Sequence, residues 1–355
     1  MFDEISWPHI LTTLLEGKDL SVGESTWAMR EIMQGRATES QLGGFLVALR
    51  AKGETVDEIV GFRDAILESA HGLPVPADVL DIVGTGGDRY GTVNVSTMAS
   101  IVCAASGVPV VKHGNRAATS SSGASDVVSA LGVNLNTTPE QVAEVLEKVG
   151  LSFVWAAAFH PGFRFAGPTR SELGVPTVFN ILGPLCNPAR AEANAVGVAQ
   201  LDRVPLITGV FRTRGATALV FRGDDGLDEL TITGHSRIWE VSRGDIHEHD
   251  LDPRDLGFAY ASISDIRGGD PAYNAQVVRD VLAGKEGPIR NIVLLNAAAG
   301  IVSYRLSHDA SQAQRSMVER LAEGRDQAVA ALDSGAAAAK LDEWVRVTQS
   351  FAAAG

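Results

Sequence analysis

The segments GTGGDRYGTVNVST (residues 84–97) and KHGNRAATSSSGASD (residues 112–126) decide how this chain is read. Each follows a short apolar run and precedes a helical pattern, so a glycine- or serine-rich loop stands between strand and helix. Backbone N–H groups and hydroxyls from the two loops then converge at one sheet edge. That makes an anion cradle. It is larger than a single carboxylate needs and suits a ligand with several phosphate groups, because helix N-termini and nests of N–H groups favour distributed negative charge.

Outward from these loops, β-branched runs alternate with helical stretches: VLDIV (79–83), VPVV (108–111), LSFVW (151–155), AVGVA (195–199) and ATALVF (216–221). Strand alternating with helix implies right-handed crossovers and an α/β fold with a mostly parallel central sheet flanked by helices, its ligand loops at the strands' C-terminal ends. RIWEVS (237–242) and IHEHD (246–250), joined through Arg-Gly-Asp, read as a small hairpin beyond that sheet. The alanine-rich stretch from about 271 onward reads as helical.

Before the first strand the pattern is all helical. Ser6 and Pro8 open a helix carrying Ile10, Leu11, Leu14 and Leu15 and closed by Gly17, and a second holds Trp27, Ile32 and Met33 before Gly35. Thr38 with Gln41, and Thr55 with Glu58, have capping-box spacing ahead of apolar runs. Residues 1–72 thus form a small helical domain, HGLPVPAD (71–78) is a proline-rich linker, and 79–355 form the large α/β domain.

The chain has 355 residues, 45% hydrophobic and 21% charged, which is enough for a large core. A formal net charge of −13 argues against non-specific binding to nucleic acid or an anionic membrane, since both need basic surface. A polyanionic substrate must therefore meet a local positive site and metal ions. Cys103 and Cys186 lack any CxxC or Cys/His pattern, which excludes a disulfide framework or structural zinc and fits a reducing compartment. The N-terminal MFDEISW is acidic and without an apolar run, so the cytoplasm is the expected location.

Taken alone, GTGGD is neither a Walker A loop nor a GxGxxG fingerprint. Its surroundings carry the case: Asp88 closes the loop, and Asn94, Ser96 and Thr97 put three polar side chains at a helix start, where capping accounts for only one. Lys112 is the natural phosphate point charge, Asn115 a donor at the turn, and Thr119, Ser120, Ser121 and Ser122 a hydroxyl-rich rim whose alternative is a solvated loop. His113, beside a glycine, reads first as a structural hydrogen-bonding residue.

GDDGLDEL (223–230) follows a strand end, and Asp228 and Glu229 lie farthest along it. An acidic turn is usually just solvated. Opposite a phosphate cradle it becomes a Mg²⁺ site, because Mg²⁺ is held by one or two carboxylates plus substrate phosphates. In FHPGFRFAGPTRSELGVPTVFNILGPLCNPA (159–189), Arg164 and Arg170 are candidates to grip a carboxylate and Phe163 to stack on a flat ring. Either arginine could equally pair with Glu172, and sequence chemistry does not choose.

GTGGD, NVST, KHGNR, PTVFNILGPLCNPA and GLDEL, in this order and at these separations, resemble the anthranilate phosphoribosyltransferase family from the helical N-terminus to the helical tail. The resemblance implies a nucleoside phosphorylase/phosphoribosyltransferase-like fold and transfer of the phosphoribosyl group of 5-phosphoribosyl 1-diphosphate (PRPP) to the amine of anthranilate, giving N-(5-phosphoribosyl)anthranilate and pyrophosphate. This is the second step from chorismate in tryptophan biosynthesis. It implies Mg²⁺ as cofactor, a homodimer joined through the helical domains, and return of the stretch from about 160 to 186 to the helical domain, making a hinged cleft.

Residue by residue, the resemblance puts PRPP against Gly84, Gly87, Asp88, Thr92, Asn94, Val95, Ser96, Thr97, Lys112, His113, Gly114, Asn115, Thr119, Ser120 and Ala124. It puts anthranilate against Gly84, Asn115 and Arg170, and the metal against Ser96, Asp228 and Glu229. Lys112, Asn115 and Arg170 become the catalytic set. Arg89, Ala124 and Ala157 depart from the family's usual glycine, serine and proline, which bears on affinity more than on reaction class. A pyrimidine nucleoside phosphorylase-like enzyme is one alternative, and a non-catalytic nucleic-acid-binding relative another. The first fits GLDEL and KHGNR less well, and the second should lose the metal carboxylates and gain basic surface.

Overall fold

Hydroxyl side chains start three of the four N-terminal helices. In the computed structural model, which describes residues 5–116 and 122–352, Thr38–Gln41 and Thr55–Glu58 close reciprocal capping boxes, and Ser21–Glu24 closes a third. They head α2 (Val22–Met33), α3 (Glu39–Lys52) and α4 (Val56–Ser69), which pack with α1 (Trp7–Leu15). Edge-to-face aromatic contacts, Trp7–Phe45 and Phe45–Phe62, each 5.8 Å between ring centres, fill the bundle's centre.

The large part carries β1 (Leu80–Gly84), α5 (Val95–Ala105), β2 (Val110–Gly114), α6 (Ala124–Ala130), α7 (Pro139–Val149), β3 (Leu151–Trp155) and α8 (Ala156–Phe159). After the short helices α9 (Gly167–Leu173) and α10 (Phe179–Leu182) come β4 (Ala193–Gly197), α11 (Val204–Arg214) and β5 (Thr217–Gly223). The chain continues through β6 (Ser236–Ser242), β7 (Asp245–Leu251), α12 (Pro271–Leu282), α13 (Pro288–His308), α14 (Met317–Asp333) and α15 (Ala336–Ala352). One seven-stranded sheet results, in the order β3-β2-β1-β4-β5-β6-β7, parallel from β3 to β5.

The hairpin expected beyond the sheet belongs to it. β6 pairs antiparallel with β5 from Ala218 to Gly223, and β7 pairs with β6 through a tight turn in which Arg243 and Gly244 take φ of 51° and 87°. The reason is the edge of β5, whose N–H and C=O groups need partners that a detached hairpin would not supply.

Alternation along the strands sends successive side chains to opposite faces. Ala195, Leu219 and Phe221 join the core under α5 and α13, while Val196, Ala218 and Val220 face α11. The second core continues without a break into the helical bundle, since Val56 of α4 presses on Gly209 of α11 so closely that a methyl group there would lie 2.5 Å from Val56 Cγ2. The chain leaves β1 toward β2 in one direction and returns at β4 on the other side, so β1 and β4 flank a topological switch point. Ligand crevices of open α/β sheets form there. Among the described residues no helix is long and apolar enough to cross a membrane.

Candidate active site

Gly84 and Gly197 end β1 and β4 as register partners at the switch point. The acidic turn from Asp224 to Glu229 folds down on them: a methyl group on Gly197 would stand 1.6 Å from the Asp228 carbonyl oxygen, and one on Gly84 2.2 Å from Asp228 Oδ2. At Gly197 the obstacle is backbone, so only glycine admits this seat there; at Gly84 it is the tip of the Asp228 side chain. Gly86 N–H donates to Asp228 Oδ2 at 2.7 Å, joining the glycine loop to the turn. The loop itself needs left-handed backbone at Gly86, Gly87, Arg89 and Gly91 (φ 69°, 88°, 65° and 63°). Arg89 holds that conformation although it carries a Cβ. The loop's far end is fastened by Gly268 N–H to Gly91 O at 2.8 Å and by a bridge between Thr92 and Arg267.

Charge at this point is lopsided. Burial, and next the Asp88 carboxylate, push the Asp228 carboxyl up to about 7, and burial together with Asp228 lifts Glu229 well above the usual carboxylate range. The Ser96 amide offsets part of the rise at Glu229. Asp228 is therefore not the solvated side chain its acidic turn implied; its surface is 9% exposed. Among the described residues no three carboxylate, imidazole or thiol groups form a ready-made cation cage. The donor set fits Mg²⁺, which keeps waters and shares substrate phosphates: two adjoining carboxylates, crowded by a third, gain most from a divalent cation.

Lys112, the expected phosphate point charge, is buried. It is 1% exposed, and its Nζ donates to the Ile82 carbonyl at 2.5 Å and to Ser96 Oγ at 3.1 Å, beneath the cradle. Burial lowers its pKa, while Asp81, Glu229 and Asp228 hold it up. Asp81, raised to about 6 by burial, also accepts the His113 amide at 3.1 Å. Lys112 thus supplies positive charge through the floor of the site.

At the head of α5 the three polar residues separate by helix phase, about 100° per residue. Ser96 faces Lys112, Thr97 is fully buried with no hydrogen-bond partner for its hydroxyl among the described residues, and Val95 is core. Asn94 makes no capping bond. Its side chain instead donates to Ser122 O at 3.3 Å and accepts from Asn274 Nδ2 at 3.0 Å, tying the two loops and α12 together. Thr92 sits at the bridge to Arg267, and Asn115 is exposed at the end of β2, where its carbonyl accepts the Ser125 amide at 3.2 Å. Gly114 lies so near Phe153 and Ala124 that a methyl group would meet them at 2.7 and 3.1 Å. Thr119, Ser120 and Ser121 lie outside the described residues.

His113 is structural in its contacts: Nδ1 lies 3.0 Å from Gly183 O, and burial lowers its pKa to about 4. From it a row of rings runs toward the helical bundle, with centres 5.2 Å apart from His113 to His160, 5.2 Å from His160 to Phe163 and 5.9 Å from Phe163 to Phe179. Arg170 ends the row, its guanidinium 5.0 Å over Phe179. Among the described residues neither arginine pairs with Glu172: Arg170 stacks on Phe179 and the exposed Arg164 on Phe165. Burial lowers the Arg170 pKa. Arg170, partly buried and without a carboxylate partner among the described residues, is the better placed of the two to receive an anion. Sequence reasoning passed over Asp81, Tyr90, His160 and Gly197; a glycine inside the fourth strand run was the one available signal among them.

A helical bundle set on a switched parallel sheet is the two-domain build of the glycosyl transferase family whose models this chain matches. Residues 8–70 match the helical bundle domain of the glycosyl transferase family, and residues 76–338 match that family's a/b domain. The chain is 65% identical over 349 residues to anthranilate phosphoribosyltransferase from Leifsonia xyli subsp. xyli, covering 98% of this chain and 100% of that one. The solved enzyme of the same name from Thermus thermophilus superposes with a TM-score of 0.87 at 39% identity, over 96% of this chain and 99% of that one. The Saccharomyces cerevisiae enzyme, solved in complex with PRPP and Mg, gives 0.87 at 29% identity over 98% and 99%. This chain belongs to the anthranilate phosphoribosyltransferase family.

Proposed function

We propose that this protein transfers the phosphoribosyl group of PRPP to the amine of anthranilate, releasing pyrophosphate, with Mg²⁺ held at Asp228, Glu229 and Ser96. The observation that carries this reading is the seating of the Asp228 turn on Gly84 and Gly197, which brings two carboxylates against the glycine loop at the sheet's switch point. When bound, the cation neutralises charge that develops on the departing pyrophosphate. The chain's own groups do the rest.

Pyrophosphate is received by the N–H groups of the glycine loop and the start of α5, with Gly84, Gly87, Asp88, Thr92, Asn94, Ser96 and Thr97 shaping that wall. Lys112 adds a positive charge from below, fixed in place by the Ile82 carbonyl, so it needs no reorganisation as the bond at the anomeric carbon breaks. Arg170 grips the anthranilate carboxylate with its planar fork, and Asn115 orients the ring beside Gly84, holding the amine in line with the anomeric carbon. An aryl amine attacks an oxocarbenium-like centre without prior deprotonation, so no general base is assigned. His113 and His160 are held below the ordinary imidazole range by burial and are neutral at pH 7, and the proton lost by the amine passes to solvent.

Residues 1–72 with part of 160–186 form the helical side of the cleft. The contacts of that stretch support this: Phe165 lies against Gly35, and Gly162 packs on the Met33 backbone, where a methyl group would meet the carbonyl at 2.6 Å. A homodimer through the helical domain accords with Leu15, Val22 and Val47, apolar side chains of the bundle left exposed. A cytoplasmic setting accords with two free, buried cysteines. The deciding experiment is pyrophosphate release from PRPP with a panel of aromatic amines, run beside phosphorolysis of pyrimidine nucleosides. Anthranilate-dependent release requiring Mg²⁺ is the expected result; phosphorolysis alone would refute it. Light scattering after size exclusion tests the dimer.

A further inference from the structure

The phenol of Tyr90 crosses from the glycine loop to the acidic turn and donates to the Asp225 carbonyl at 2.6 Å. Its ring is partly buried against the large core and lies 3.9 Å from where a methyl group on Gly226 would stand. On the loop side its own N–H is held by Asp88 Oδ1 at 3.2 Å. One residue therefore links Asp88 to the turn that carries Asp228.

Its acceptor is firmly placed. The Asp225 carboxylate receives Leu227 N–H at 2.9 Å, Thr231 Oγ1 at 2.6 Å and the Thr233 hydroxyl, so the turn holds its shape from within. A second crossing, Gly86 N–H to Asp228 Oδ2, ends on a carboxylate that a cation would claim. The Tyr90 bond ends on a main-chain carbonyl and is independent of that carboxylate's proton or metal. Between its anchors the loop has Gly86 and Gly87 in left-handed conformation, and glycines give up much chain entropy when ordered. A tie that survives metal binding is what such a loop requires.

We propose that Tyr90 is a positioning residue that keeps the phosphate-binding loop and the acidic turn in register, so that PRPP and its cation meet a preset site. The proposal rests on the assignment of those two segments to PRPP and Mg²⁺. Its test is Tyr90→Phe, which keeps the ring and removes only the hydroxyl. KM for PRPP and the Mg²⁺ concentration for half-maximal rate should each rise about three- to tenfold, the range of one neutral hydrogen bond. KM for anthranilate and the melting temperature should stay near the parent's.

Amide hydrogen exchange of the ligand-free protein should quicken at 86–92 and 226–229 together. Unchanged PRPP and Mg²⁺ dependence overturns the proposal, as does a parallel rise in both KM values with a lowered melting temperature. Asp228→Asn separates the two readings. If that variant keeps the parent's Mg²⁺ dependence, the metal assignment fails, while exchange in Tyr90→Phe still decides whether the tie exists.

Discussion

Gly197→Ala adds a single methyl group at the end of β4 and should disable the enzyme. The added carbon would stand 1.6 Å from the Asp228 carbonyl oxygen and 2.4 Å from its carbonyl carbon. An ordinary contact needs about 3.4 Å, and β4 is pinned between β1 and β5, so the turn must retreat by roughly 2 Å. The retreat breaks the 2.7 Å bond from Gly86 to Asp228 and withdraws both carboxylates from the glycine loop.

Misplacing a reacting group by about 1 Å costs on the order of 100-fold in rate, so kcat/KM for PRPP should fall by at least about that factor. Overpacking costs about 1–3 kcal/mol, which lowers the melting temperature by several degrees without unfolding the protein. Gly84→Ala is the graded comparison: its carbon meets the tip of the Asp228 side chain, which can rotate away, so stability should suffer less while the bond to Gly86 is still lost. Pyrophosphate release at varied PRPP, calorimetric PRPP binding and thermal melts read these effects. A folded Gly197→Ala enzyme with parent-like kcat/KM for PRPP would show that the turn plays no part in PRPP chemistry.

Asp228 carries a pH signature whose sign follows from its raised pKa. With its carboxyl at about 7 in the folded protein against 3.8 ordinarily, the folded state holds more protons between about pH 4 and 7, so stability falls as pH rises through that window. Asp228→Asn should abolish turnover yet show a shallower decline than the parent in ligand-free melts. His113 and His160, held at about 4 and 3, act with the opposite sign below about pH 6.5, so the difference between the two melting curves is the reading to take. Arg170→Ala should lower kcat/KM for anthranilate about 10- to 150-fold, the worth of a charge-assisted bond of about 1.5–3 kcal/mol, with PRPP affinity barely changed. If Arg164→Ala shows that defect instead, the carboxylate grip belongs to Arg164. Lys112→Met should lower the melting temperature of the ligand-free protein, because it removes the buried charge that favours ionised Asp81 and the bond to the Ile82 carbonyl; a normal melt with weakened PRPP binding would contradict its buried role.

The capping boxes at Thr38 and Thr55, the strand–loop–helix order and the glycine-rich loops were legible in the sequence, because each depends on residues a few positions apart. Asp228 and Glu229 could likewise be marked as candidate metal ligands from residue type and their place after a strand. Their burial could not. It depends on the turn settling over Gly84 and Gly197, which the sheet order alone makes neighbours. The same holds for Lys112, whose residue type proclaims a charge for phosphate and whose position on an interior strand sends that charge to Ile82 O and Ser96. The stacking of Arg170 on Phe179, the joining of β6 to β5 and the Tyr90 tie are also contacts between distant segments. Local pattern specifies which elements form and what chemistry they carry. Packing of remote elements decides which charges lose water and which face a ligand, and desolvation in turn sets their pKa values.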